Sequence, residues 1–365
     1  MKLNDILVAH DEPRGKKFVD DLFGKKPIFV CTIGNTETAK IPGISAAGAF
    51  PEITDCTPPA DVELLFYGKC KCIEGVPVTP DGIPTPALIT MSALKLVNIP
   101  TFAVVGGLRV KPRAPFIDLG GSPGDDIRSG KAVKNVEEVI ERAKTCGRNF
   151  ATSADYLVIG ESIAGGTTTA LGVMLAMGVD ARRKVSSSMP SNPHELKIKT
   201  VEEGMRAAGI GFGELRDNPM KAITCVGDPM IPAFAGLVAG AAEEIPVLLA
   251  GGTQIGAVLS VVKALAPEVL DNLAIGTTRW IVNDKASDLK GIISQVTDVP
   301  ILAANLNFGG SRFGGLKAYE AGVVKEGVGA GGAAIAAMLK SRGEITSATL
   351  LTEIERNYEK LVGRA

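Results

Sequence analysis

The stretch YLVIGESIAGGTTTALGVMLAMG, residues 156–178, decides the fold. Its first four residues form a short apolar run, which is typical of a strand buried on both faces of a parallel sheet. Glycines and threonines follow, and the apolar positions after them predict a helix with hydroxyl side chains in its first turn. A strand, a glycine loop and a helix N-terminus together present backbone N–H groups, so the stretch predicts an anion site.

The glycine loop is similar to a Walker A loop, with two differences that bear on its ligand. Gly166 stands where that loop has its lysine, so we expect a phosphate smaller than a nucleoside triphosphate. Glu161 lies in the same loop, where a carboxylate repels a phosphate. Either Glu161 has a role that outweighs this repulsion, or its side chain points elsewhere.

Composition narrows the class of protein. The 365 residues are 45% apolar and carry a net charge of −1, which gives no basic footprint for nucleic acid. Only two histidines occur, so we expect no metal site, and the six cysteines are interpreted as free thiols. No signal peptide is recognisable, and the uncharged stretches 162–179 and 245–262 are too polar to span a bilayer. We expect a soluble, cytoplasmic protein without a cofactor.

Strands alternate with helices from residue 28 to about residue 310. This pattern predicts a three-layer αβα fold with a mostly parallel, Rossmann-like sheet, although the strand count also fits a closed eightfold barrel. We expect an α/β nucleotide-binding core over 25–315, and a small helical subdomain from 1–24 and 316–365. The predicted strands are 28–36, 62–68, 101–107, 156–159, 222–227, the start of 245–266, 273–282 and 299–308.

Three glycine and hydroxyl loops, 160–169, 250–253 and 276–278, follow predicted strands. Loops at the carboxyl ends of parallel strands line one crevice, so together they are suited to holding a ribose phosphate. Glu326 lies among glycines in KEGVGAGG, residues 325–332, just before a predicted helix. From the local sequence it is either a helix-capping carboxylate, which is the simpler interpretation, or a general base that substrate approaches closely.

Three segments together resemble one known family. GESIAGGTT (160–168), KEGVGAGGAA (325–334) and DGIPTPALITM (81–91) are similar, in order and separation, to motifs of the nicotinate-nucleotide:dimethylbenzimidazole phosphoribosyltransferases. The resemblance spans most of the chain and is specific only in combination. It points to the diverged branch of that family found in archaea and cyanobacteria.

The resemblance implies a role for each matching residue. Glu326 becomes the catalytic base and Glu161 the second active-site carboxylate. Lys197 matches a lysine near the phosphate, with Lys199 as the alternative. The nucleotide site would comprise Gly165, Gly166, Thr167, Thr168, Lys197, Gly251, Gly252, Thr277 and Thr278, and the base pocket Gly82, Pro84, Thr85 and Met91.

Three positions depart from the family pattern. Gly166 replaces an asparagine, Ala250 an aspartate and Pro84 a serine. The implied reaction is the transfer of ribose 5-phosphate from nicotinate mononucleotide to a benzimidazole-type base, which gives a precursor of a cobamide lower ligand. Because of the three departures, we weigh this reaction against two alternatives. One is a nucleotide-binding or regulatory relative without catalysis, and the other is an unrelated phosphate-binding enzyme such as a sugar-phosphate isomerase. The expected partners are small-molecule substrates and a second copy in a homodimer, without nucleic acid or membrane.

Overall fold

One sheet organises the part of the chain that the computed structural model describes, residues 5–47, 51–75, 77–79 and 81–363. The order is β1-β8-β7-β6-β5-β2-β3-β4, and only β1 runs antiparallel to its neighbour. Both edges of the sheet are open, which rules out the closed barrel. The strands are β1 Ile6–His10, β2 Pro27–Gly34, β3 Thr101–Gly107, β4 Ile117–Asp118, β5 Tyr156–Ser162, β6 Val247–Ala250, β7 Leu273–Thr278 and β8 Ile301–Ala304.

Helices cover both faces of this sheet. On β5, Leu157 and Ile159 belong to one apolar core and Tyr156 and Val158 to the other, as expected for alternating side chains. The predicted three-layer α/β architecture is therefore confirmed. The helices are α1 Glu12–Leu22, α2 Thr57–Tyr67, α3 Ala87–Leu96, α4 Val136–Ala151, α5 Gly166–Ala176, α6 His194–Ala208, α7 Pro219–Val226, α8 Met230–Ala241, α9 Ile255–Leu265, α10 Arg279–Val282, α11 Leu289–Val296, α12 Gly314–Lys317, α13 Ala330–Lys340 and α14 Ser347–Val362.

Two of the predicted strands are wrong. Residues 62–68 lie in α2 and its C-cap, where two prolines occupy the first turn and the side chains from Pro58 to Leu65 are all buried. Residues 222–227 lie in α7 and its C-cap, and the Asn218 side chain caps that helix by accepting from the Lys221 amide. A short apolar run buried on every side has no period that separates a helix from a strand.

The beginning of the chain also differs from the prediction. Its sequence predicts short helices over residues 5–24, but Ile6–His10 adds the antiparallel edge strand β1 beside β8, and only Glu12–Leu22 is helical. The division into a core and a helical subdomain stays a prediction. Among the described helices, none is both long enough and apolar enough to cross a membrane.

Candidate active site

A cavity of about 170 Å³ opens at the carboxyl ends of the central strands. Its walls are the loops after β5 and β6, the Ser186–Ser188 segment, and the segments that precede α3 and α13. Glu161 and Glu326 both line it. Residues that are 165 positions apart in the chain thus face one cavity.

Glu161 is held by strand β5, which runs past the predicted apolar stretch to Ser162. Its side chain is only 3% exposed. Its backbone carbonyl accepts from the Val328 amide at 2.9 Å, which ties β5 to the segment carrying Glu326. A Cβ on Gly251 would lie 3.9 Å from Glu161 Oε1, so this glycine leaves room beside the carboxyl group.

Glu326 lies in the loop before α13. The Gly327 amide donates to its Oε1 at 3.1 Å, and the Gly331 amide reaches both oxygens at 3.2–3.3 Å. The carboxylate therefore does accept hydrogen bonds at a helix N-terminus, as the simpler interpretation of its sequence predicts. It also faces the cavity, where a Cβ on Gly252 would come within 3.8 Å of the Glu326 Cβ.

Glycines allow α13 to approach the sheet closely, and this approach places Glu326 at the cavity. A Cβ on Gly331 would lie 2.0 Å from the Thr277 carbonyl carbon, and one on Gly332 would lie 2.3 Å from the Ala250 Cβ. In the loop itself, Val324 and Val328 adopt φ of 52° and 55°. Left-handed backbone is strained for a β-branched residue, and such strain persists only where the surroundings hold it.

The two carboxyl groups interact electrostatically. Burial, then the neighbouring Glu326, raises the pKa of Glu161 well above its ordinary value. Burial raises the pKa of Glu326 to about 7, although backbone N–H donors, led by Gly327 and Gly331, lower it. The raised pKa of Glu161 favours its protonated form, while Glu326 is poised to exchange a proton near neutral pH. The protonated form of Glu161 lacks the negative charge that would repel a phosphate.

Two further acids near the pair were missed by sequence reasoning. Asp61, on α2, lines the cavity and accepts from Thr85 Oγ1 at 2.8 Å and Ser162 Oγ at 2.7 Å. Asp228 caps α8 by accepting from the Met230 amide at 2.9 Å and lies behind the lining. Burial raises the pKa of each to about 6. The signal for Asp61 was an acid directly after two prolines and an alanine at the start of an apolar run, and the prediction of a strand from residue 62 left Asp61 outside any element.

A buried lysine contacts another wall of the cavity through Ser186. Lys197 is buried in α6 and donates to the Ser186 carbonyl at 2.7 Å and to Asn192 Oδ1 at 3.3 Å, both neutral acceptors. Burial, then the charge of Lys325, lowers the pKa of Lys197 to about 7. Lys325 lines the cavity and pairs with Asp284 at 3.1 Å. Neither Lys197 nor Lys199 lines the cavity, but the buried Lys197 contacts the lining residue Ser186, whereas Lys199 is exposed.

Of the other residues expected at the nucleotide site, four line the cavity, whereas Gly251, Thr168, Thr277 and Thr278 do not. Gly165, Gly166, Thr167 and Gly252 line the cavity. Thr278 is behind it and donates to the Lys325 carbonyl. The hydroxyls of Thr168 and Thr277 are buried and have no hydrogen-bond partner among the described residues.

The expected base pocket is only partly assembled at this cavity. Of its four residues, Thr85 lines the cavity, beside Ile83 and Pro86. Gly82 is exposed, and the Pro84 carbonyl accepts from the Tyr319 hydroxyl at 2.9 Å. Met91 packs in the core of α3. After Thr85 the chain enters helix α3 and leads away from the cavity. The linear motif does not show this change of direction.

Packing explains two of the three departures from the family pattern. A Cβ on Gly166 would lie 2.7 Å from Ile163 Cγ2, and the Gln254 Oε1 is 3.4 Å from the same point. Ala250 fits against Gly332, so a longer side chain there would push α13 outward. The small residue at position 250 and the close approach of α13 therefore depend on each other, whereas the small residue at position 166 accommodates Ile163.

Comparison with known proteins identifies the family. A UPF0284 protein of Sulfurisphaera tokodaii is 46% identical over 337 residues, which is 92% of this chain and 94% of the relative. The chain belongs to the UPF0284 family. UPF0284 proteins of Archaeoglobus fulgidus and Methanopyrus kandleri are 47% and 42% identical, over 92% and 98% of the chain and 94% of each relative.

This UPF0284 protein also matches a phosphoribosyltransferase family model over residues 119–281. Two solved structures from Thermus thermophilus share its fold at 16% identity. CobT has a TM-score of 0.56 with 89% of each chain covered, and nicotinate-nucleotide-dimethylbenzimidazole phosphoribosyltransferase has a TM-score of 0.55 with 91% of each chain covered. These findings confirm the family resemblance seen in the three sequence motifs and support a transferase of the phosphoribosyltransferase type.

Proposed function

We propose that the protein transfers ribose 5-phosphate from nicotinate mononucleotide to a nitrogen base of the benzimidazole type, giving an α-ribotide for a cobamide lower ligand. The observation that carries this proposal is the pair Glu161 and Glu326 facing one cavity, with the pKa of Glu326 raised to about 7. A group with that pKa accepts a proton efficiently near neutral pH.

The proposed reaction needs one base and no acid. The bond between ribose C1′ and the pyridinium nitrogen breaks, and its electron pair stays on nicotinate, which leaves as an uncharged ring. A lone pair on one ring nitrogen of the acceptor forms the new bond to C1′. The proton on the acceptor's other ring nitrogen passes to Glu326, so the product base is neutral. Such proton transfer contributes about a hundred- to ten-thousand-fold in rate.

Glu161 has a second role in this proposal. Before substrate binds, burial and then the neighbouring Glu326 raise the pKa of Glu161 and favour its protonated form. A bound pyridinium or the cationic character that develops at C1′ favours its ionised form. The carboxyl group therefore gains negative charge when the substrate brings positive charge, and remains neutral while only phosphate is nearby.

The phosphate is proposed to lie at the loop after β5 and beside Lys197. Backbone N–H groups at the α5 N-terminus and the hydroxyls of Thr167 and Ser186 supply donors there. Lys197 has only neutral acceptors among the described residues, so a bound phosphate would be its counter-ion. In this proposal the phosphate of nicotinate mononucleotide, an anion, and its pyridinium ring, a cation, occupy separate parts of the cavity.

A turnover assay tests the proposal. Purified protein is mixed with nicotinate mononucleotide, with and without 5,6-dimethylbenzimidazole, benzimidazole or adenine, and nicotinate and ribotide are separated by chromatography. Base-dependent release of nicotinate with stoichiometric ribotide is the expected result. Release without a base, or no release with any acceptor, contradicts the proposed reaction.

A nucleotide-binding protein without catalysis is the second candidate, and the loss of polar side chains at Gly166 and Ala250 favours it. It predicts calorimetric binding of nicotinate mononucleotide without turnover. An unrelated sugar-phosphate enzyme predicts no effect of any heterocyclic base. The homodimer and the cytoplasmic location also stay predictions, and sedimentation of the purified chain tests the first of them.

A further inference from the structure

Asp61 is a cavity-facing carboxyl group for which the proposed reaction has no use. It is 2% exposed, lines the cavity, and accepts from Thr85 Oγ1 and Ser162 Oγ. In the described part of the chain no lysine or arginine forms an ion pair with it. Its two hydroxyl partners use one acceptor position on each oxygen, so further lone pairs remain available.

The charge on Asp61 is not compensated by the protein alone. Burial raises the pKa of Asp61 to about 6, and the hydrogen bonds from Ser162 and Thr85 counteract part of that rise. The group is therefore mostly ionised at neutral pH. A buried carboxylate without a cationic partner is costly, and a ligand group that donates a hydrogen bond reduces that cost.

The position of Asp61 relates it to the acceptor rather than to the phosphate. Ser162 directly follows Glu161, and Thr85 precedes Pro86, whose Cγ would lie 3.3 Å from a Cβ on Gly327. Asp61 thus adjoins the two segments that carry the active-site glutamates. Ser186, by contrast, lines another wall, where its carbonyl accepts from the buried Lys197.

The remaining lining near Asp61 is suited to a flat ring. Several apolar side chains face the cavity, and a planar heterocycle packs well against such surfaces. A carboxylate among apolar walls then selects among rings of similar shape by the polar groups at their edges. The apolar lining side chains are Ile44, Pro77, Val78, Ile83, Pro86, Ile163 and Val328.

We propose that Asp61 is a specificity-determining residue, and that the preferred acceptor is a nitrogen heterocycle that carries an additional N–H or O–H donor at its edge. This inference rests on the proposed function and deepens it. A ring whose edge bears only methyl groups leaves the Asp61 carboxylate unsatisfied and is a poorer acceptor. A hydrogen bond to a charged group corresponds to about a ten- to hundred-fold difference between the two kinds of acceptor.

The first test uses the wild-type protein alone. With nicotinate mononucleotide fixed, kcat/KM is measured for 5-hydroxybenzimidazole and adenine, which bring an additional O–H or amino N–H donor at the ring edge. It is also measured for benzimidazole and 5,6-dimethylbenzimidazole, whose only donor is the ring N–H that passes to Glu326. A preference of about ten-fold or more for at least one donor-bearing acceptor is expected. Equal kcat/KM values, or a preference for the methylated ring, would overturn the role of Asp61 while leaving the proposed reaction intact.

The second test compares two variants. Asp61→Asn should bring the ratio of kcat/KM values between donor-bearing and methylated acceptors towards one. Asp228→Asn is the matched control, because Asp228 is equally buried but lies outside the cavity lining, and it should leave that ratio unchanged. An Asp61→Asn ratio equal to that of the wild type refutes the inference. If no acceptor releases nicotinate from the wild-type protein, both the reaction and this inference fail.

Discussion

Glu326→Gln separates the catalytic role of this carboxyl group from its effect on stability. Glutamine keeps the size of the side chain and one oxygen that accepts from the Gly331 amide, but it cannot take a proton. We expect turnover to fall by about a hundred- to ten-thousand-fold, the range for loss of a general base. In the wild type, kcat/KM should fall about ten-fold per pH unit below pH 7, because the protonated form is inactive.

The same change is expected to stabilise the fold at high pH. The folded-state pKa of Glu326, about 7, lies above its ordinary value of 4.5, so the native state retains a proton that the unfolded chain has lost. The wild-type free energy of unfolding therefore declines between about pH 4.5 and pH 7, by about 3 kcal/mol from this group, and then levels off. The Gln variant does not undergo that decline, so it gains about 3 kcal/mol relative to the wild type at high pH. The loss of one backbone hydrogen bond reduces this gain by about 1 kcal/mol.

Urea denaturation at pH 5 and pH 8, together with chromatographic detection of nicotinate, measures both effects. The Gln variant should be inactive, and at pH 8 its free energy of unfolding should exceed that of the wild type by about 2 kcal/mol. Glu344→Gln, the same change at an exposed glutamate, is the control and should alter neither quantity. Turnover within ten-fold of the wild type would remove Glu326 from the role of base, and an unchanged pH dependence of stability would contradict its raised pKa.

Lys197→Met should weaken the binding of nicotinate mononucleotide by about ten-fold or more in calorimetry, because the buried amino group beside the lining residue Ser186 is lost, whereas Lys199→Met, at an exposed position of the same helix, should not. Equal effects would leave the phosphate without its proposed partner. Gly332→Ala should destabilise the protein by about 1–3 kcal/mol and reduce turnover, since its methyl group would lie 2.3 Å from the Ala250 Cβ and displace α13. Gly310→Ala is the control for Gly332→Ala, because nothing lies within 4 Å of the methyl group added at Gly310. Similar melting temperatures for the two variants would argue against the close approach of α13.

The elements that could be predicted from sequence are those with an unambiguous period or boundary. β3 at Thr101–Gly107 agrees with the predicted limits, because two glycines mark the end of this segment. The runs at α2 and α7 were misassigned because they are apolar on every side. Their environment, rather than their sequence, decides that they are helices.

The residues of the candidate site also divide into those that the sequence identified and those that it did not. The motifs around Glu161 and Glu326 identified two carboxyl groups that do face one cavity, and Thr85 beside it. Gly82, Pro84 and Met91 belong to the same linear motif but do not line the cavity. Asp61 lies in a helix that the sequence did not predict, and Asp228 in the turn after another, so no local pattern placed them near the glutamates.

The sequence by itself determined the alternation of strands and helices, the glycine loops at strand ends and the family resemblance, because each depends on local periodicity or on the order of short motifs. Tertiary structure alone decided which acids are buried together, and therefore which of them have a raised pKa. Burial and the approach of a second carboxyl group raise a pKa only once the chain has brought β5, α2 and α13 together, and no local stretch of residues encodes that distance.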